Sequence, residues 1–488
     1  MKLPKLFRAA LFLPLVLTAC SKTELQNRSF ENGDVGIEGD AANSRQALKV
    51  TDTLGQPLAQ ARVLIGTAEN QPFASNFITT DDQGQFKAPA AWTKEESVTI
   101  EAKGYVRATF LSQLPKGQSY QLRLSPPAVQ MELKGMGTGF KTKDNDNLAD
   151  FALMMPAVRK SDLFAFDLNM FMSSKTDKIS IYGQEILIPS NVSLPKQKEK
   201  YGLFPVTLEK PIFRLYFDVL GQHKVATLKG QFPFKQVVGE MQNAKPFVDL
   251  INYFSVQSGS LRDVSITQPS QSLDLPVDEI KFDEARTFQS PAFNSQEDFL
   301  LAVALNPVNG KYMPTDFKNV LAQTEAKLNT ISGSPAELLV VLKKKSEQMI
   351  FAGGKLSAAF VAFQNGARPS LLPLIENPHV VSVSEFRVQV PAAPAGIQPV
   401  ATYSVLSSVQ RFGTAPQVTE ISTPYWDVYG PNWQSEVKLP EWPGGTFPGG
   451  LKRWEVSLVG TQGRQKPFAF SPRILETVTH ATHSASDF

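Results

Sequence analysis

The sequence predicts a mainly β protein, built as tandem antiparallel β-sandwich domains with one or two short helices. Apolar and polar residues alternate over short runs, as in Ser97-Val98-Thr99-Ile100-Glu101-Ala102 and Trp454-Glu455-Val456-Ser457-Leu458-Val459. That is the period of a strand with one face turned inward. Turn formers are dense, with 35 Pro and 31 Gly, and they fall between the runs. Helical spacing is confined to two short stretches. A chain of 488 residues exceeds one ordinary domain, so two to four are expected.

The chain opens with Lys2, Lys5 and Arg8, followed by an apolar stretch of 11 residues from Ala9 to Ala19. A membrane-spanning helix needs about 20 residues, so this stretch fits the apolar region of a signal peptide over 1–19. It ends Leu17-Thr18-Ala19-Cys20 and resembles the bacterial lipobox. The resemblance implies cleavage before Cys20, a thioether-linked diacylglyceryl group on its sulfur, and acylation of the new amino terminus. Two or three acyl chains make a stable membrane anchor where one does not. The resemblance also implies an outer-membrane address, facing the periplasm or the cell surface, because Ser21 stands where Asp marks retention at the inner membrane.

Cys20 is the only cysteine, which excludes an intramolecular disulfide and a cysteine-based zinc or iron–sulfur site. No cofactor and no metal is expected. The full chain has 49 basic and 46 acidic residues; losing Lys2, Lys5 and Arg8 leaves 46 against 46. Such balance argues against nucleic acid as a partner. Residues 20–45 are polar and rich in Gly, Asn and Asp. As a random coil this tether would reach roughly 25–30 Å.

Residues 46–127 read as one small β domain. Strands are expected at Leu48-Lys49-Val50, at Ala61 to Ile65 with Val63 and Ile65 on one face, at Ser97 to Ala102, at Ala108 to Leu111 and at Tyr120 to Leu124. Turns fall at Asp52 to Leu58 and Thr79 to Phe86. The pattern V-x-D-x-x-G-x-P-L-x-x-A-x-V from Val50 to Val63, then Thr80 to Phe86, then Ile100 to Tyr105, resembles carboxypeptidase regulatory-like domains. That resemblance implies a seven-stranded, transthyretin-like sandwich without catalytic residues. Gly55 and Gly84 would take left-handed turn conformations, and Phe86, Ile100 and Tyr105 would be core.

Residues 128–378 read as β-rich with short helices. Strands are expected at Ala128 to Leu133, Leu163 to Phe171, Ile179 to Tyr182, Ile186 to Pro189, Ile212 to Val219 and Val225 to Leu228. Pro246 with apolar residues at 247, 250, 251 and 254 predicts a short helix. Residues 316–331 keep helical spacing behind Pro314-Thr315-Asp316, yet Lys327 to Ile331 and Leu338 to Leu342 could equally be strands. Residues 337–365 read as a hairpin around Gly353-Gly354, and 366–378 as a Pro-rich linker. From 379 to 488 the alternation returns in a C-terminal β domain.

The sequence contains no G-x-S-x-G, H-E-x-x-H, phosphate-binding G-x-x-x-x-G-K-[ST] or K-T-G motif. Gly135, Gly137 and Gly139 alternate as at a strand end. His480-x-x-His483 reads as solvated tail more than as a ligand pair, and His223 as a turn residue. Asp144, Asp146 and Asp150 have calcium-friendly oxygens but lack the Gly and distal Glu of an EF-hand loop.

The best binding candidates are Tyr425, Trp426, Trp433 and Trp442, with Tyr429 and Trp454 close in sequence. Flat aromatic faces stack sugars, and tryptophan is enriched at hot spots; the same residues could instead pack a sandwich edge. The expected function is a lipid-anchored envelope protein with a non-enzymatic binding or structural role, its partner an envelope polysaccharide or protein. The alternative is a carbohydrate-directed envelope hydrolase with its site in 128–488, which a cleft holding two carboxyl groups about 5–10 Å apart would favour.

Overall fold

The computed structural model describes residues 48–53, 55–66, 77–116, 118–126, 130–140, 148–160, 173, 175–181, 184–201, 204–243, 245, 247–345, 354–412, 419–440, 442, 447, 449–463 and 474–488. Cys20 with its signal peptide and tether, Asp144 and Asp146, the strand expected from Leu163 to Phe171, and Gly353 lie outside the described residues.

The chain divides into two compact units. One comprises residues 128–372 with 411–421, and the other combines the stretch ending at Pro127 with 373–410 and 422–488. Residues 46–127 and 379–488, read from sequence as separate domains, therefore belong to one unit. Their union rests on strand pairing across more than 300 residues of sequence.

In this discontinuous unit the described residues of the N-terminal stretch form seven strands: β1 (Leu48–Asp52), β2 (Arg62–Ile65), β3 (Ile78–Thr79), β4 (Gln85–Phe86), β5 (Glu96–Glu101), β6 (Arg107–Gln113) and β7 (Ser119–Leu122). They lie in two sheets. One runs β4–β1–β7, with β1 antiparallel to β4 and parallel to β7. The other begins β3–β2–β5–β6 and continues through Thr419–Pro431, Ile397–Phe412, Lys452–Gln462 and His480–Asp487. At the junction β6 pairs in parallel with Thr419–Pro431, from Trp426↔Arg107 to Tyr429↔Phe110. Parallel neighbours need a long crossover, and here the connection carries residues 128–372.

Alternation decides what each face buries. Val63, Val98, Ile100 and Phe110 face the β4–β1–β7 sheet, where they meet Leu48, Val50, Phe86 and Tyr120. Tyr429 completes this core from the C-terminal strand. On the opposite face Leu64, Leu111, Trp426 and Trp454 are covered by Phe386, Val388, Leu439 and Trp442. With both faces covered, Ala108 to Leu111 are all buried, the hydroxyl of Thr109 among them. Gly84 (φ 71°) sits in a left-handed turn where an added Cβ would meet the Val50 carbonyl oxygen at 2.4 Å, so only glycine fits.

The segment 373–378, read from sequence as linker, is pinned. Thr482, Ser484 and Ser486 alternate along the last strand and donate to the carbonyls of Pro373 (2.8 Å), Glu376 (2.9 Å) and Pro378 (2.6 Å). An extended proline-rich backbone has unpaired carbonyls, and this hydroxyl row satisfies them.

The other unit is built on a six-stranded sheet in the order Phe204–Lys210, Val192–Tyr201, Ala149–Pro156, Gly221–Phe232, Ser255–Ile266 and Ile280–Lys281. Ala149 to Met155 are buried without a break because both faces are covered. On one face Met154, Val225 and Val264 meet Leu133, Phe213 and Leu215 of a second sheet. On the other, Phe151, Leu153 and Leu228 pack with Phe234, Phe282 and Met313. Gly135 lies in strand Met131–Thr138, where a Cβ would come within 1.9 Å of the Leu273 carbonyl oxygen.

The helix expected at 246–254 is Phe247–Leu250, prolonged by a 3₁₀ turn over Ile251–Tyr253. Sequence spacing does not single out helix Phe234–Gln242, a nine-residue element that directly follows a strand. The helix read at 316–331 does not form: Lys311–Val320 is a strand paired with Asp298–Val308, and the strand alternative at 327–331 is met by Glu325–Thr330, paired with Glu284–Gln289. The expected hairpin forms from Glu337–Lys344 and Leu356–Ala362.

Candidate functional site

The C-terminal aromatics do not form an exposed strip. Trp426 and Trp454 are 0% exposed, Tyr429 1% and Trp442 6%. Trp454 packs on Phe386, with centroids 4.6 Å apart, and donates its indole N–H to the Val383 carbonyl at 3.2 Å. Trp433 is half-buried and donates to the Val459 carbonyl at 2.9 Å. Tyr425 is half-buried beside Phe447. Trp426 and Trp442, expected as binding faces, are therefore packed side chains: Trp426 sits on a strand covered on both faces, and Trp442 belongs to the layer that covers it. Each lies against an arginine, and there the site is assembled.

Four adjacent strands each contribute one residue to a row across the sheet. Arg62 stands opposite Glu101, and Arg107 stands opposite Trp426. Glu101 and Arg107 lie one position beyond the Ile100↔Ala108 pair that joins β5 to β6. One Glu101 oxygen accepts Arg62 Nη2, and the other accepts Arg107 Nη2 and, at 3.2 Å, Arg107 Nε. Burial alone would raise the Glu101 carboxyl. Hydrogen bonds and charge from Arg107 and then Arg62 outweigh it and hold the group below its ordinary range.

Trp442 lies over this row. The Arg62 guanidinium is 5.3 Å from its ring centroid and 4.3 Å from that of Phe77. The Arg107 guanidinium is 4.6 Å from both Trp442 and Trp426. Each such contact contributes about 0.5–2 kcal/mol, more where water is excluded. Beyond Trp426, Phe447 stacks at 5.9 Å. The result is a continuous band: Phe77, Arg62, Trp442, Arg107, Trp426, Phe447. Trp426 is further fixed by donating to Thr109 Oγ1 at 2.8 Å, which is 2.8 Å from Thr99 Oγ1.

Arg62, Glu101 and Arg107 are not singled out by sequence motifs. Their signal is weak but readable: Ser97, Thr99 and Glu101 alternate as the polar face of β5, and Arg107 and Thr109 continue it on β6.

The histidines do other work. His480 and His483 lie buried in strand His480–Asp487, not in a solvated tail. A spacing of three along a strand puts them on opposite faces, which prevents a shared ligand. His483 Nδ1 is 3.0 Å from Ser457 Oγ, and His480 Nδ1 is 2.8 Å from Thr479 Oγ1. His223, read as a turn residue, is buried in strand Gly221–Phe232 with its ring 4.5 Å from Phe217. Asp150 accepts from Gln231 Nε2 at 2.8 Å. Among the described residues no cluster of His, Cys, Asp and Glu could hold a metal ion, and no helix is long and apolar enough to cross a membrane.

No protein-family model and no curated protein matches the chain. Among solved structures it is similar to the TIE protein of Bacillus anthracis (11% identity, 67% of this chain and 51% of that one, TM-score 0.15). It spans about half the length of that protein. It is also similar to the major pilin subunit of Bacillus cereus (9% identity, 67% and 99%, TM-score 0.15), and to a putative adhesin from Bacteroides ovatus (10% identity, 46% and 74%, TM-score 0.11). At these scores the likenesses carry nothing about what this chain binds.

Proposed function

We propose that this chain is a lipid-anchored protein of the bacterial cell envelope, held at the outer membrane through acylated Cys20, with a binding role and no chemistry of its own. The order of positive charge, apolar run and Leu17-Thr18-Ala19-Cys20 supports the anchor, and Ser21 supports the outer-membrane address. The regulatory-like pattern in 46–127 supports a non-catalytic sandwich at the membrane-proximal end. The observation that carries the binding role is the arginine–aromatic band, which is held by Glu101 and Trp442 and includes the half-exposed Arg62.

Replacing Cys20 by Ala tests the anchor. The wild-type protein is expected to sediment with outer membranes and the Cys20→Ala form to appear in the soluble fraction. Continued sedimentation of the variant would overturn the lipoprotein reading.

A further inference from the structure

The two arginines of the row differ in what they leave open. The Arg107 side chain is 16% exposed and gives Nε and Nη2 to Glu101. The Arg62 side chain is 43% exposed and, among the described residues, donates only through Nη2. A guanidinium carries five N–H donors in a planar fork, so most of the Arg62 fork meets no acceptor among the described residues. Yet Arg62 is not loose: the rings of Phe77 and Trp442 lie against it, and Glu101 holds one corner. An arginine already ordered by folding gives up little further side-chain freedom when it binds. At the other end of the band, Phe447 rests on Trp426 and is 37% exposed.

We propose that this face binds an acidic polysaccharide, with a sugar carboxylate taken by the open edge of Arg62 and a pyranose face laid on Phe447. The guanidinium fork matches a carboxylate in geometry and charge. Two guanidinium groups share the single Glu101 carboxylate, which leaves the row one net positive charge and favours an anionic ligand. Aromatic rings accept the C–H face of a sugar, so a chain whose acidic unit sits at Arg62 gains a second contact along the band. The proposal rests on the envelope-binding reading above and names its ligand class.

Affinity electrophoresis of the full-length protein, in native gels containing polygalacturonate or neutral dextran, tests it. Retardation is expected in polygalacturonate and not in dextran. Arg62→Gln should weaken it about tenfold, the value of a charge-assisted hydrogen-bonded pair. Arg62→Lys should fall near Arg62→Gln, because the charge remains but the fork is lost. Phe447→Ser should weaken binding about fivefold. Arg387→Gln, which removes a 59%-exposed arginine of the same unit, should change nothing. Unaltered thermal unfolding of Arg62→Gln and Phe447→Ser guards against loss of fold. Absence of retardation in polygalacturonate, equal retardation in dextran, or retardation indifferent to Arg62 would each overturn the proposal. Sedimentation through Cys20 does not depend on any of these, so the anchored-envelope reading stands or falls separately.

Discussion

Arg123 donates both Nε and Nη2 to the carboxylate of Asp427, a partner 304 residues along the chain, with the Nε bond at 3.0 Å. The Asp427 side chain is 1% exposed and that of Arg123 25%. Tyr403 adds its hydroxyl to the same carboxylate at 3.3 Å, and burial holds the Tyr403 phenol well above its ordinary range. Asp427 lies directly beside Tyr429, whose ring stacks on Phe110 at 5.1 Å. The ion pair therefore ties strand Thr419–Pro431 to the N-terminal sandwich, beside the parallel pairing of that strand with β6.

Removing one partner strands the other. Asp427→Ala leaves a mostly buried guanidinium without its counter-charge, and the expected loss is about 3–5 kcal/mol. Arg123→Met with Asp427→Leu replaces both ions by apolar groups of similar size and should recover part of that loss, short of wild type because Tyr403 loses its acceptor. Urea unfolding of the three forms measures this. A loss under about 1 kcal/mol for Asp427→Ala would show the pair to be dispensable.

This junction marks where sequence patterning stops informing. Strand period and turn residues are local, so β1, β2, β5 and β6, the hairpin at 337–365 and the turn at Gly84 are legible from short windows. The pairing of Arg107–Phe110 with Trp426–Tyr429 is not, because a parallel partner 300 residues away leaves no mark on either strand. The same cause hides the role of the tryptophans. On a strand, an outward Trp that binds and an inward Trp that packs have the same alternation, and only knowledge of a second covering layer separates them. Glu101 and Arg107 are visible as polar positions on β5 and β6, but their shared tryptophan lid comes from residue 442.

The aromatic residues should consequently divide by burial when truncated. Trp442 is 6% exposed and lies over two arginines, so Trp442→Ala opens a cavity and frees both guanidinium groups from their ring contacts. A loss of about 3–5 kcal/mol is expected. Trp433 is half-buried with one indole hydrogen bond, so Trp433→Ala should cost less, about 1–2 kcal/mol. Thermal or urea unfolding ranks the two. Equal losses would contradict the placement of Trp442 as the lid.

Asp316 makes a prediction about pH. Its side chain joins two strands: one oxygen accepts the Phe317 N–H at 2.9 Å and the other the Asn329 N–H at 2.8 Å. Burial is the dominant influence and raises its pKa from 3.8 to about 6, against the lowering effect of those N–H groups and Lys318. Below pH 3.8 the group is protonated in folded and unfolded chains alike. Between there and about 6 the unfolded chain releases its proton first, so this group progressively disfavours folding as pH rises. Above about 6 the penalty is complete, on the order of 3 kcal/mol. Asp316→Asn cannot ionise. It carries a constant cost, from an amide N–H₂ set against a backbone donor, but no pH dependence. The stability of the variant relative to wild type should therefore improve by about 2–3 kcal/mol between pH 4 and pH 7. Paired urea titrations at the two pH values read this difference directly, and a gap between variant and wild type that stays constant would mean that Asp316 ionises as freely in the folded chain as in the unfolded one.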